Sequence, residues 1–319
     1  MGRWHAHAIR HVGSRVVAVV DPDVRRAQHL AERLPDRPAA VADLGRAIAD
    51  HRVDVVHACS PLSTHDAIAR LAIEAGIAAL VEKPLAPDTA AAEALHRLAA
   101  ARGVLLCPVH QFLFQPGVLA AGRAMDRLGA IRQFDLVACS AGADGATDLE
   151  REAVALDILP HGLALARRML GAPLGSAQWR VGQGRPGEIR AMSDVAGASI
   201  VITISMRARP TENSLTVRCD GGTVRANLFH GFATIERGVP SRLDKVGRPL
   251  LASVQTMGVA LTNLAGRAVR GEPAYPGLRE LVRRFHLACA RSGPSPISVE
   301  ESLDVARARD NIRTARQSE

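Results

Sequence analysis

Through the first third of the chain, short apolar runs rich in β-branched residues alternate with stretches of helical periodicity. That alternation restricts the fold more than any other feature. The apolar runs are residues 16–20, 53–59, 78–81 and 104–109, and the helical stretches are 23–34, 44–51, 64–75 and 88–102. Strands alternating with helices of this length predict an α/β unit, a doubly wound parallel sheet covered on both faces. Further on the period changes. Ile200, Ile202, Ile204 and Met206 alternate with Val201, Thr203, Ser205 and Arg207, the period of two of a sheet with unlike faces. Residues 215–219 and 224–228 flank Asp220-Gly221-Gly222, a hairpin signal. Two helices close the chain: one carries Leu278, Leu281, Val282, Phe285 and Cys289 at helical spacing, and the other opens on the capping box Ser298-x-x-Glu301. These signals predict a domain over residues 1–112 and a second, a sheet backed by helices, over 113–319. The Pro/Gly-rich stretches 182–187 and 238–249 are expected to be loops of the second.

Length agrees with two domains, since 319 residues are about twice the usual domain size. Hydrophobic residues at 47% and charged residues at 23% exclude a mainly disordered chain. No apolar run approaches the ~18 residues that span a bilayer, and residues 1–6 lack the apolar core of a signal peptide, so no membrane partner and a cytoplasmic location are expected. The five cysteines, Cys59, Cys107, Cys139, Cys219 and Cys289, are widely spaced and contain no Cys-x-x-Cys pair. They are expected to be small core residues, neither bridges nor metal ligands. A net charge of +8 would suit nucleic acid, but the arginines are dispersed and aromatics make up only 3%, too few for base stacking. No nucleic-acid partner is expected.

Only two of the 40 basic residues are lysines, Lys83 and Lys245. A chain that uses Arg almost wherever a cation will serve invites the question of what Lys does that Arg cannot. A lysine in a site can give up a proton and act in catalysis, whereas Arg stays charged. Lys83 stands in Glu82-Lys83-Pro84 just beyond the run 78–81, and ligands of doubly wound sheets lie beyond the carboxyl ends of the strands. Asp21 ends the run 16–20. Its carboxylate can accept hydrogen bonds from ribose hydroxyls and repel a 2′-phosphate, or it can belong to a helix cap with Asp23. After 53–59 comes Ser60-Pro61-Leu62-Ser63-Thr64-His65, a turn entering a helix, whose N–H groups can face a cofactor with His65 nearby. In the second domain, Asp157-(x)3-His161 encloses Pro160, which suits the first turn of a helix. That would put His161 at the positive end, where the dipole favours the neutral base. His5, His7 and His11 sit on one prospective helix, but no carboxylate or cysteine ligand lies beside them in sequence, so no metal site is expected.

Asp21, the Ser-Pro-(x)3-His turn, Glu82-Lys83-Pro84 and Asp157-(x)3-His161 together resemble the Gfo/Idh/MocA family of oxidoreductases, nearly end to end. Gly2-Arg3-Trp4-His5-Ala6 resembles the end of that family's glycine fingerprint; ahead of Gly2 there is neither the first strand nor the first two glycines, and a start further upstream is expected. The resemblance implies a Rossmann-type domain followed by an α+β domain with a large, mostly antiparallel open sheet. It implies NAD, with NADP disfavoured by Asp21, and a small-molecule substrate of the sugar, inositol or polyol kind. It also implies homodimers or homotetramers packed through the open sheet. Lys83, Asp157 and His161 take the family's catalytic positions. Gly2, Asp21, Ser60, Pro61, His65 and Glu82 take cofactor-side positions, and Lys83, Gln111 and His161 substrate-side ones. The sequence departs from the pattern at Leu113, where many members carry Arg or Lys, and at Glu152-Ala153, where a glycine pair often precedes the Asp. A non-redox derivative that binds a metabolite or partner is the alternative these departures motivate.

Overall fold

The computed structural model describes residues 1–140, 142–238 and 242–318, without the side chains of 242–246 and 318. Lys245 falls among those side chains. Backbone contacts divide the chain into two compact units, residues 1–110 with 278–303 and residues 111–277 with 304–319.

The first unit opens with α1 (Gly2–His11), β1 (Ala18–Val20), α2 (Val24–Ala31), β2 (Ala39–Val41) and α3 (Leu44–Asp50). It continues through β3 (Val55–Ala58), α4 (Leu62–Glu74), β4 (Ala78–Val81), α5 (Thr89–Arg102) and β5 (Leu106–Pro108). Strand pairing is parallel throughout, as the alternation predicts. It forms two sheets, β1–β2 and β3–β4–β5. Aspartates start three of the helices: Asp23, Asp43 and Asp88 each accept a backbone N–H of the first turn, from Arg25, Arg46 and Ala91. Gly103, left-handed at φ 65°, ends α5. The β4 strand is buried at every residue, whereas Val20 at the end of β1 is exposed. Ala6, Val16 and Leu34 form a small core under α1, with Ile9, Val19 and Leu30 packed against it. The β2 strand was not expected; its three residues, two alanines and Val41, are too short a run to signal a strand.

The second unit begins with a 3-10 turn (Gln111–Phe114), α6 (Pro116–Met125), β6 (Ile131–Cys139) and α7 (Asp148–Leu170). The strands β7 (Arg180–Gly182), β8 (Glu188–Val195), β9 (Ala198–Ser205), β10 (Glu212–Cys219), β11 (Gly222–Asn227) and β12 (Phe232–Arg237) follow. They make one seven-stranded sheet in the order β12-β11-β10-β6-β9-β8-β7, in which every pairing is antiparallel except β6 with β9. This is the large, mostly antiparallel sheet expected, and β10 and β11 meet in the anticipated hairpin with Cys219 opposite Gly222. Ile200, Ile202 and Ile204 are buried while Val201 and Thr203 are half-exposed, so the sheet's two faces differ as the period of two requires. Along the buried face α7 packs on β6, β8 and β9. Gly162 permits this close approach, since a Cβ there would already stand 3.4 Å from Ile202 and Leu136 methyls.

Three helices end the chain: α8 (Arg242–Arg270), α9 (Leu278–Arg291) and α10 (Val299–Ser318). The expected loop over 238–249 is corrected by α8, which already runs from residue 242 through Pro249; residues 239–241 lie outside those described. The α9 helix packs on α1 in the first unit, burying Leu278, Leu281, Val282 and Phe285. The Ser298–Glu301 capping box is present, the Glu301 N–H donating to Ser298 Oγ at 3.1 Å. All five cysteines are free thiols, Cys107 and Cys139 buried and the others partly so.

Candidate active site

Within the first unit, β3 and β4 run in parallel register with Ala58 beside Val81, so the turns after both strands open on one edge. One turn is Cys59-Ser60-Pro61, from which α4 starts with Pro61 as N-cap and no side-chain cap. Its first N–H groups point to that edge. The other is Glu82-Lys83-Pro84. Lys83 is half-buried, and its N–H donates to Glu82 Oε2 at 3.3 Å. His65 bridges the two turns: its Nδ1 lies 2.8 Å from the Pro84 carbonyl oxygen and its Nε2 2.9 Å from that of Ser60. Buried at 1% exposure, this imidazole is a brace for both turns. Asp21 directly follows β1. Its N–H donates to the Val41 carbonyl, and its Oδ1 accepts from Asp23 N–H at 2.9 Å while Asp23 caps α2. Gly2 is the first residue of α1, which also has no side-chain cap.

Sequence reasoning missed what holds Glu82. A line of imidazoles runs from its carboxylate: Glu82 Oε1 to His5 Nε2 at 3.0 Å, His5 Nδ1 to His57 Nδ1 at 2.9 Å, His57 Nε2 to His286 Nε2 at 2.9 Å, and His286 Nδ1 to Ser14 Oγ at 2.8 Å. Burial opposes charge on His5, but Cys59 and the Glu82 carboxylate beside it prevail and lift its pKa to about 9. Burial, then the neighbouring His5 charge, pushes His57 well below the ordinary value and His286 down as well. Burial alone would raise Glu82; His5 and Lys83 outweigh it and lower the carboxyl. With His5 protonated and the other two neutral, one set of tautomers satisfies every contact: His5 donates to Glu82 and to His57, His57 to His286, and His286 to Ser14. The segments involved are far apart in sequence, and no local pattern signals that they meet. His7 and His11 stack at 4.0 Å between ring centroids while His5 turns away to Glu82, so the three do not converge. Among the described residues no group of three His, Cys, Asp or Glu side chains could hold a metal ion.

In the second unit the expected start of a helix at Pro160 is corrected. The capping box formed by Thr147 and Glu150 opens α7 twelve residues earlier, and Pro160 lies inside the helix. His161 is therefore mid-helix, away from either terminus, and the dipole argument for its neutrality fails. Asp157 and His161, four apart, share one face. The His161 ring is 8% exposed and stacks on Phe112, with centroids 4.3 Å apart and planes 20° from parallel. Gln111, the preceding residue in the 3-10 turn, is buried. That turn is seated by Gly277, at φ 91°, where a Cβ would fall 2.2 Å from the Gln111 carbonyl oxygen. Of the two departures from the family pattern, Leu113 is buried in the core, and Glu152 accepts from Arg316 at 2.5 and 2.9 Å and from Gly187 N–H at 2.8 Å. Both serve packing.

Residues 1–110 match the family model described as "Oxidoreductase family, NAD-binding Rossmann fold". The chain is 30% identical over 172 residues to UDP-N-acetylglucosamine 3-dehydrogenase of Acidithiobacillus ferrooxidans, covering 54% of this chain and 52% of that one. It is 28% identical over 335 aligned positions to D-apiose dehydrogenase of Paraburkholderia graminis, covering 98% and 81%. The aligned part thus spans about half the length of the first relative and four-fifths of the second. Among solved structures, the WlbA dehydrogenase of Bordetella pertussis, in complex with NADH and UDP-GlcNAcA, superimposes with a TM-score of 0.77 at 18% identity over 99% of this chain and 92% of that one, a likeness of fold. Residues 1–110, with the Glu82-Lys83-Pro84 turn at the carboxyl end of β4, thus match the model of the Gfo/Idh/MocA family of oxidoreductases.

Proposed function

We propose that this protein is an NAD-dependent dehydrogenase that moves a hydride between nicotinamide and a CH–OH carbon of a sugar-, inositol- or polyol-like small molecule. The observation that carries the proposal is the half-buried Lys83, one of only two lysines, two residues past the end of the fully buried β4 in a unit that matches an NAD-binding family. The residues suit such a cofactor. The uncapped start of α4 offers free N–H groups to phosphate, and Asp21 at the end of β1 favours NAD over NADP by repelling a 2′-phosphate. When bound, the nicotinamide supplies the hydride acceptor or donor.

The protein's own part is proton and charge management. In the oxidative direction His161 takes the hydroxyl proton, the Lys83 ammonium stabilises charge developing on the substrate oxygen, and Asp157, one turn before His161, orients the imidazole. Glu82 keeps a negative charge beside Lys83, and Gln111 contributes to substrate binding. Gly2, Ser60, Pro61 and His65 shape the cofactor side. Two relatives whose names specify sugar substrates support the substrate class.

The purified chain, titrated with NADH while fluorescence is followed and then assayed on a panel of polyols and sugars, is expected to give saturable binding and turnover. Lys83→Arg should lower kcat by at least about 10²-fold while leaving NADH affinity within about twofold. Full turnover by Lys83→Arg removes the Lys role; no saturable NADH signal removes the dehydrogenase reading in favour of a metabolite-binding protein.

A further inference from the structure

The long helix α8 is built inside out. It has 29 residues, about 43 Å at 1.5 Å per residue. The side chains that hydrogen-bond it to its own unit are polar, with half-buried Ala252 and Val259 on the same side. Arg248 donates to Glu236 at 2.9 Å, Gln255 to the Ile235 carbonyl at 3.2 Å, Asn263 to the His230 carbonyl at 3.0 Å, and Arg267 to the carbonyls of Glu272 and Pro273 at 3.0 and 2.7 Å. At about 100° per residue these four lie within about 60° of one direction. On the opposite side Leu250, Val254, Met257, Leu261, Leu264 and Ala268 lie within about 40° of a line. The first five of these are 74, 63, 60, 60 and 64% exposed. A helix of a globular unit normally turns its apolar stripe inward; here the stripe faces out and the polar side is bound.

The stripe's spacing alternates four and three, the heptad seam by which helices pair in coiled coils. Residues 249–266 carry no charged side chain, so a copy of the same surface meets it without repulsion, although the chain as a whole is at +8. The arginines at its two ends are already engaged by their own unit, Arg248 by Glu236 and Arg267 by carbonyls. Leu251 and Val269 flank the seam at 67 and 89% exposure. At ~60–120 Å² per fully buried aliphatic side chain, these seven large residues offer roughly 300–550 Å² per copy. That is roughly two-fifths to two-thirds of the ~800 Å² each partner gives to a standard interface, before polar flanks are added.

We propose that α8 pairs antiparallel with α8 of a second copy of this chain, with Leu250 opposite the partner's Ala268, Val254 opposite the partner's Leu264, and Met257 opposite the partner's Leu261. The antiparallel arrangement sets each a position against a d position and closes on itself by a two-fold axis. This contact is separate from pairing through the open sheet and needs no assumption about catalysis. An amphipathic helix lying on a membrane would instead turn a cationic face to headgroups, and the polar face of α8 is already bound to its own unit.

Light scattering and sedimentation velocity on the full chain test the pairing. The Val254→Glu/Leu261→Glu double variant is expected to have half the mass of the wild type and to keep a cooperative unfolding transition, its Tm falling only by the stability that pairing adds. Thr262→Glu, off the seam, should leave the mass unchanged. In a second measurement, Val254→Cys protein allowed to exchange with Leu264→Cys protein should form a disulfide-linked pair under mild oxidation, and neither should do so alone. A monomeric wild type at ~50 µM, or a double variant of unaltered mass, overturns the proposal. Self-linking of Val254→Cys would mean a parallel pair and overturns it too, as would wild-type binding to phosphatidylserine vesicles that the double variant loses while its mass stays the same.

Discussion

His5 links ionisable groups from distant parts of the first unit. Its ring touches Glu82 and His57, and through them the line reaches His286 and Ser14. The consequences for stability follow from the signs. Because the folded pKa of His5, about 9, lies above its ordinary 6.5, the folded state holds a proton there that the unfolded chain has lost. Stability from His5 is fully present below about pH 6.5 and fades as pH rises through 9, an effect on the order of 3 kcal/mol. His57 and His286 are displaced downward, so they act oppositely: below pH 6.5 the unfolded chain takes up protons that these two refuse, and stability falls. Urea denaturation followed from pH 5 to 9.5 should show a maximum near pH 6.5. His5→Asn should flatten the alkaline limb, and His57→Asn the acid limb. A wild-type curve that is flat from pH 6.5 to 9.5 would show that His5 carries no such proton.

At the scale of elements, α7 carries the second unit's share of the proposed chemistry, and it is seated by a glycine. A Cβ at Gly162 would already be in close contact with Ile202 and Leu136. Gly162→Leu adds three further carbons to that contact, so it should cost about 1–3 kcal/mol and tilt the helix off β6 and β9. Because His161 is the adjacent residue, kcat should fall with little change in NADH affinity; an unchanged kcat would mean that the register of α7 does not set the position of His161. The same helix marks where reading the sequence stops. Asp157 and His161 were legible as a pair because four-residue spacing is a property of the helix alone. Pro160 misled, because proline is tolerated both in a first turn and, at a cost that surrounding packing covers, inside a long helix. The residues leading into α8 misled in the other direction. Glycine and proline there signal a loop, yet the helix begins at residue 242 and runs through Pro249.

For the whole molecule, the order of residues along the chain and the order of units in space part company at α9. Phe285, fully buried, lies in a helix that packs against α1 and belongs to the unit of residues 1–110. Phe285→Ala should cost about 3–5 kcal/mol. Hydrogen exchange should quicken in β3, β4 and β5, about 180 residues or more away in sequence, while β8 and β9 keep their protection. Equal acceleration in both sheets would indicate one cooperative unit.

What the sequence determined by itself was local in origin. Alternation at periods of two and near four set which segments are strands and helices, aspartates and glycines set several of the helix ends, and the Glu-Lys-Pro and Asp-(x)3-His motifs marked the family resemblance. Each depends on neighbours within a turn or a strand. Only the tertiary structure decided that parallel pairing forms two sheets, that α9 rejoins the first unit, that His5 meets a carboxylate 77 residues away, and that α8 turns its leucines outward. These depend on which surfaces meet, and burial and charge compensation between distant segments leave no periodic trace in the chain.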